Sequence, residues 1–284
     1  MKKSLMKRTA QLFLAFVCSF VFFVFLSLIG IRMTLMRPTF MQQQVNHSQY
    51  AFNVQKEMNN KIQDLARGSN IPPEVVKDVI PSTLIEKNMT QYVNTLYSGH
   101  SFTLQGEEEV KKELYKKINQ YAVDKKMKTD EQMNKGIAQF VDSSMQVVKQ
   151  AIEIPYLANF VNKVNQYKAT LNTFIIEAGI AVCVIIGMLF MTCRSNKERI
   201  SFTSLILAGT GLSLVVGPLI IYFNDWMSRI GIMTQSIYEF VQTYLRTFDL
   251  LFIKMGIILL VLSILFFVTF VVLTHKSGVT KQKT

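Results

Sequence analysis

Long apolar runs alternate with polar segments along this chain. Leu12–Gly30, Leu171–Thr192, Phe202–Phe223 and Leu250–Thr274 are each about long enough to cross a bilayer as a helix, which takes ~20 residues. The pattern predicts a leading segment 1–11 and spans at 12–30, 171–192, 202–223 and 250–274. Between the spans lie a large polar segment 34–170, a short connection 193–201 and a longer one 224–249, with a tail 275–284. Within 34–170 the apolar positions recur at helical spacing, and no window sustains the alternation of a strand. Ala51, Val54, Met58, Ile62 and Leu65 form one stripe. Ile85, Met89, Tyr92 and Leu96 form a second, Val110, Leu114, Ile118 and Tyr121 a third, and Val141, Met145, Val148 and Ile152 a fourth. Each set falls on one helical face. A last stripe, Phe160, Val164, Tyr167 and Leu171, leads into span two. The expected fold class is all-α: four transmembrane helices with a helical extracytoplasmic domain inserted between spans one and two.

The punctuation agrees with that division. Arg37-Pro38 interrupts any continuation of span one. Gly68 to Glu74 ends one helix and prepares the next, with Pro73 suited to a first turn. Thr83-x-x-Glu86 and Thr129-x-x-Gln132 fit capping boxes, in which each side chain bonds the other's free backbone N–H. Ser98-Gly99-His100 is a stop signal. Glu107, Glu108 and Glu109 suit a helix N-terminus, where negative charge is favoured. Pro155 opens the helix that joins span two.

Charge adds an orientation. The net charge is +12 and the pI about 9.5. Lys2, Lys3, Lys7 and Arg8 precede run one, Arg194, Lys197 and Arg199 separate runs two and three, and Lys276, Lys281 and Lys283 follow run four, against the single acid Glu198. By the positive-inside rule all three flanks face the cytoplasm. The expected protein is therefore a multi-pass protein of the cell membrane, N- and C-termini cytoplasmic. Segment 34–170 holds 17 Lys and Arg against 14 Asp and Glu, so most of the basic excess is a topological signal that also suits anionic headgroups. No basic face for nucleic acid is expected. Run one exceeds a signal-peptide core of ~7–15 residues, and no small-residue cleavage site succeeds it, so it is expected to be retained as an anchor.

Candidate chemistry is sparse. Cys18, Cys183 and Cys193 lie in or beside the runs, and His47, His100 and His275 are scattered. No catalytic, cofactor-binding or metal-ligating residues are expected, no cofactor is assigned, and an enzyme is not expected. The lysine-rich stretch Lys111–Lys128 is interleaved with Glu113 and Asp124 and is expected to be a solvated helix face. Gly179, Cys183 and Gly187 in span two, and Gly209, Ser213 and Gly217 in span three, place small residues at four-residue spacing. Such ridges let helices approach closely, and the short 193–201 connection predicts that these two ridges face each other. Pro218 is expected to kink span three, with Tyr222 and Trp226 in the outer aromatic belt. Glu177 is 17 residues from Arg194 and Lys254 is 21 from His275. At 1.5 Å rise per residue they stand about 25 and 31 Å along their helices, a similar layer. If buried, they make a candidate intramembrane ion pair; otherwise the carboxylate reaches outer water and the lysine snorkels. In 224–249, Ile230, Met233, Ile237, Phe240, Val241 and Tyr244 form an amphipathic stripe. It extends the spans, lies in the interface or packs on the polar segment; the sequence does not choose.

Met33-Thr34-Leu35, Pro38-Thr39-Phe40, Tyr50, Ile71-Pro72-Pro73-Glu74-Val75 and the run from Tyr92 to Gly99 resemble a functionally unassigned group of multi-span membrane proteins of Gram-positive bacteria. Their helical outer domains carry a similar x-Pro-x-Phe lead-in and Tyr-x-Gly stop. The resemblance covers 1–99 and implies architecture and cell type only. A large outer domain beside almost no cytoplasmic machinery gives the expected partners, the lipid bilayer and a protein in the membrane or envelope. A topological likeness to ABC-type permeases with a large outer domain between spans one and two implies the alternative, a permease-like subunit served by a separate ATPase. Those permeases carry a longer amphipathic segment before span one than this chain's ten or so residues.

Overall fold

The computed structural model describes residues 2–127, 130–224, 231 and 234–281. It is all-α, 87% helical, with no strand among the described residues. The helices are α1 (Lys2–Thr34), α2 (Pro38–His47), α3 (Tyr50–Gly68), α4 (Ser82–Ser98), α5 (Glu107–Asp124), α6 (Glu131–Ile152), α7 (Pro155–Thr192), α8 (Asn196–Phe223) and α9 (Gln235–Lys281), with a 3-10 turn at Pro73–Val76. Four helical stretches, in α1, α7, α8 and α9, are long and apolar enough to cross a membrane. The chain forms two compact units. The apolar unit comprises Met1–Met36, Tyr167–Ile230 and Leu245–Thr284; the polar unit comprises Arg37–Gln166 and Gly231–Tyr244. As expected, α7 runs unbroken from Pro155 to Thr192, whereas α1 and α2 are separate helices.

In the polar unit, α3 packs on α2, α4, α6 and the 3-10 turn, and α5 packs on α6. The predicted stripes supply the core: Val54, Met58 and Ile62; Ile85, Met89 and Tyr92; Val110, Leu114 and Ile118; Val141, Met145, Val148 and Ile152 are all buried. Gly99 ends α4 in the left-handed region at φ 74°, with the His100 N–H bonded to the Thr95 carbonyl. Without a Cβ, glycine adopts that conformation at little cost. Gln49, at φ 52°, turns α2 into α3 with no such relief.

Three expectations fail locally. α4 begins at Ser82, directly after Pro81, so Thr83 lies inside the first turn and makes no cap. Thr129 lies outside the described residues; the cap of α6 is Asp130, whose carboxylate accepts the Met133 N–H at 2.7 Å. On the polar part of α7 the buried residues are Leu157, Val161 and Val164, while Phe160 and Tyr167 face outward. Two apolar sets at helical spacing exist there, and packing selected the one without aromatic rings.

Candidate functional site

The polar unit is organised around Tyr50, the first residue of α3 and 1% exposed. Its hydroxyl donates to the Ala151 carbonyl at 3.2 Å. Four residues beyond Ala151 stands Pro155, which has no N–H to continue a helical ladder. The phenol supplies the donor that the proline lacks. Tyr92 reaches the other side of the same break, donating to the Ile154 carbonyl at 3.0 Å. That carbonyl also takes the Leu157 and Ala158 N–H groups, the first bonds of α7. Burial pushes the Tyr50 phenol well above its ordinary range, with Glu57 and Tyr92 adding to the shift. Burial, then the charge of Glu153, pushes Tyr92 up to about 12.

The same unit holds the first turns of α9. The Tyr50 ring stands edge-on to Phe240 at 5.8 Å, and Tyr244 edge-on to Phe40 at 5.3 Å. Glu57 on α3 accepts the Ser236 N–H at 3.1 Å and the Ser236 hydroxyl at 3.0 Å. A carboxylate there meets the unsatisfied N–H groups and partial positive charge of a helix N-terminus. Glu239 accepts from Asn53 and Gln235. Among the three readings of the 224–249 stripe, Phe240 and Tyr244 are buried in the polar unit. Ile230, Met233 and Trp226 lie outside the described residues. On the lysine-rich face, Lys111 turns toward Glu107 at 2.8 Å and Asp142 at 3.8 Å, joining α5 to α6. The hydrogen bond to Glu107 raises its pKa. Lys112 and Lys116 are exposed, as a solvated face requires.

In the apolar unit, α1 occupies the place expected of a direct α7–α8 ridge contact. A side chain on Gly179 would meet the Phe25 ring of α1 at 3.1 Å, and Gly209 abuts Ser19, also on α1. Gly187 and Gly217 have open space beside them, and Cys183 and Ser213 are exposed. The Ser213 hydroxyl bonds its own helix at Gly209. Small-residue spacing marks a face that permits close approach; it does not name the neighbour. Ala15, Cys18, Leu189 and Ile206 from α1, α7 and α8 share one apolar cluster. Polar ties run between the same helices. Gln11 Nε2 donates to the Thr192 carbonyl at 3.0 Å, and the Thr210 hydroxyl donates to the Ser19 carbonyl at 3.0 Å.

Between α8 and α9 the backbones themselves come close. A Cβ on Gly256 would fall 2.8 Å from the Gly211 carbonyl oxygen and 3.1 Å from Leu214 Cβ. Seven residues away on each helix, Ser204 and Ser263 exchange hydroxyl-to-carbonyl bonds at 2.9 and 2.8 Å. Gly30 closes α1 onto Phe252 of α9.

Glu177 and Lys254 are both exposed, and no ion pair joins them among the described residues. Similar height along two helices does not set azimuth, and both side chains are exposed. Asp249, which hydropathy puts just outside span four, is the buried acid among the described residues of this unit: 6% exposed, with Oδ2 bonded to no described group. Ser195 and Glu198 are a further pair absent from the sequence candidates. They form the reciprocal cap of α8, Ser195 Oγ accepting the Glu198 N–H and Glu198 accepting the Arg194 N–H at 2.7 Å. The Ser-x-x-Glu spacing is the signal that marks them. Among the described residues no group of three His, Cys, Asp or Glu is placed to hold a metal ion. No protein-family model, curated protein or solved structure matches this chain.

Proposed function

We propose that this chain is a multi-pass envelope protein of a Gram-positive type of cell membrane, with both termini cytoplasmic. Its polar helical unit, inserted between spans one and two, lies outside and binds a protein partner without catalysing a reaction. Four membrane-compatible helices and the basic flanks support the membrane part. The observation that carries the binding part is on the polar stretch of α7. Tyr156 is 85% exposed and Phe160, one turn on, 38% exposed. Both lie well before the apolar run that begins at Leu171, so apolar surface stands where water, not lipid, surrounds it. A partner surface covering them recovers that burial.

The test is site-specific photocrosslinking from Tyr156 and Phe160 in intact cells, then purification in mild detergent. A discrete crosslinked membrane or envelope protein from either position, with the Phe160 crosslink lost on Tyr156→Lys, is the expected result. Crosslinks to lipid alone would remove the partner. Stoichiometric recovery of an ATPase would instead establish the permease-subunit alternative.

A further inference from the structure

The α8–α9 contact repeats every seven residues. Ser204 meets Ser263 and Gly211 meets Gly256 across an antiparallel pair. One further step of seven, in opposite directions, reaches Pro218 on α8 and Asp249 on α9. Asp249 belongs to the same inward face of α9 as Phe252, Ile253, Gly256 and Ser263, all buried. Its Oδ2 has no partner among the described residues.

The third rung differs chemically from the other two. Pro218 sits inside α8 and has no N–H, so the Leu214 carbonyl one turn earlier loses its helical donor. Leu214 is 1% exposed and abuts Gly256 of α9. A buried carbonyl without a donor thus adjoins the rung that carries a buried carboxyl group. A carboxylate can only accept; a neutral carboxyl also has one O–H to give. An isolated carboxylate taken from water is strongly disfavoured, and such a group takes up a proton instead.

α8 carries no titratable side chain from Ile200 to Ile221, and α1 carries only Cys18 from Ala10 to Ile31. On α9 the nearest described charged groups are Arg246, one turn earlier, and exposed Lys254, five residues on, and α1 ends near exposed Arg32.

We propose that Asp249 is a proton-binding site within the membrane bundle, loaded at neutral pH and hydrogen-bonded to the carbonyl that Pro218 frees. The proposal rests on the membrane-spanning reading and is independent of any partner. An ionisable residue buried among spans is a functional candidate in its own right. Its position at the start of α9's apolar run, at the end remote from His275, gives the proton a short route to water.

Infrared difference spectroscopy on the full chain in lipid nanodiscs at pH 7 tests it. Wild type is expected to show a protonated-carboxyl stretch that shifts in heavy water and is lost in Asp249→Asn. Asp249→Glu should move the band without removing it, which covers the case in which Asn fails to fold. Pro218→Ala returns an N–H to the Leu214 carbonyl and should shift the band as the carboxyl loses its acceptor. An ionised carboxylate at pH 7, with or without sodium, overturns the proposal. A band indifferent to Pro218→Ala overturns the assigned acceptor.

Discussion

Tyr50 shows how much of the polar unit hangs on single atoms. Its ring fills the core against Phe240, and its hydroxyl completes the backbone at the α6–α7 break. Tyr50→Phe keeps the ring and strands the Ala151 carbonyl, which should cost about 1–3 kcal/mol in thermal or chemical unfolding. Tyr50→Ala should cost roughly 3–5 kcal/mol by adding a cavity. Glu177 and Lys254 give the opposite expectation. Both are exposed and unjoined, so in a double-mutant cycle of Glu177→Gln and Lys254→Met the effects should add, with coupling under about 0.5 kcal/mol. Their similar expected height follows from the constant rise per residue. Their separation around the bundle was not legible in the sequence, because azimuth depends on which helices pack where. The burial of Asp249 was illegible for a related reason: it ends a polar stretch in one dimension and continues a buried face in three.

At the scale of elements, the stripes and breaks were largely legible. Gly99, Glu107 and Pro38 act on the backbone locally, whatever surrounds them. The failures came where two local choices competed. Pro81 outranked Thr83 as the start of α4, and Leu157 and Val161 outranked Phe160 and Tyr167 for the inner face of α7. The glycine ridges were visible and their partners were not, since α1, remote in sequence, holds the place beside Gly179 and Gly209. Substitution separates the kinds of glycine. Gly256→Ala drives a methyl into the Gly211 carbonyl and Val215 and should destabilise the fold by about 1–3 kcal/mol. Gly217→Ala meets open space and should fall within about 0.5 kcal/mol of wild type.

For the whole molecule, two expectations are accessible in solution. The Tyr50 and Tyr92 phenols are both raised by burial, whereas unfolded phenols titrate near ~10. Between those values the unfolded chain binds fewer protons, so stability falls as pH rises. The polar unit should keep full stability below pH ~10 and lose it progressively from there through about 12, the value for Tyr92. Circular dichroism during alkaline titration reads this, and Tyr92→Phe should flatten the slope. Topology is tested by single cysteines in a cysteine-free background. Positions Lys117 and Lys135 should label with an impermeant thiol reagent on intact cells, and Lys197 only after lysis. Labelling at Lys197 from outside would reverse the proposed orientation. Hydropathy made the four membrane-compatible helices legible, and the basic flanks carry the proposed orientation; nothing comparable in composition specifies a partner.

The seven-residue period of the α8–α9 contact also dictates how those helices wind. A straight α-helix drifts ~20° per heptad from a contact repeating every seven residues. Keeping Ser204 and Gly211 opposite Ser263 and Gly256, and carrying that register on to the proposed rung of Pro218 and Asp249, therefore requires the pair to coil around each other with left-handed sense. Phase then matters more than composition. One alanine inserted between Asp249 and Gly256 leaves every rung residue present, yet rotates the two halves of α9 on either side of it by ~100° relative to each other. Asp249 would turn out of the seam, and a chain with an unchanged set of rung residues would lose its buried acid.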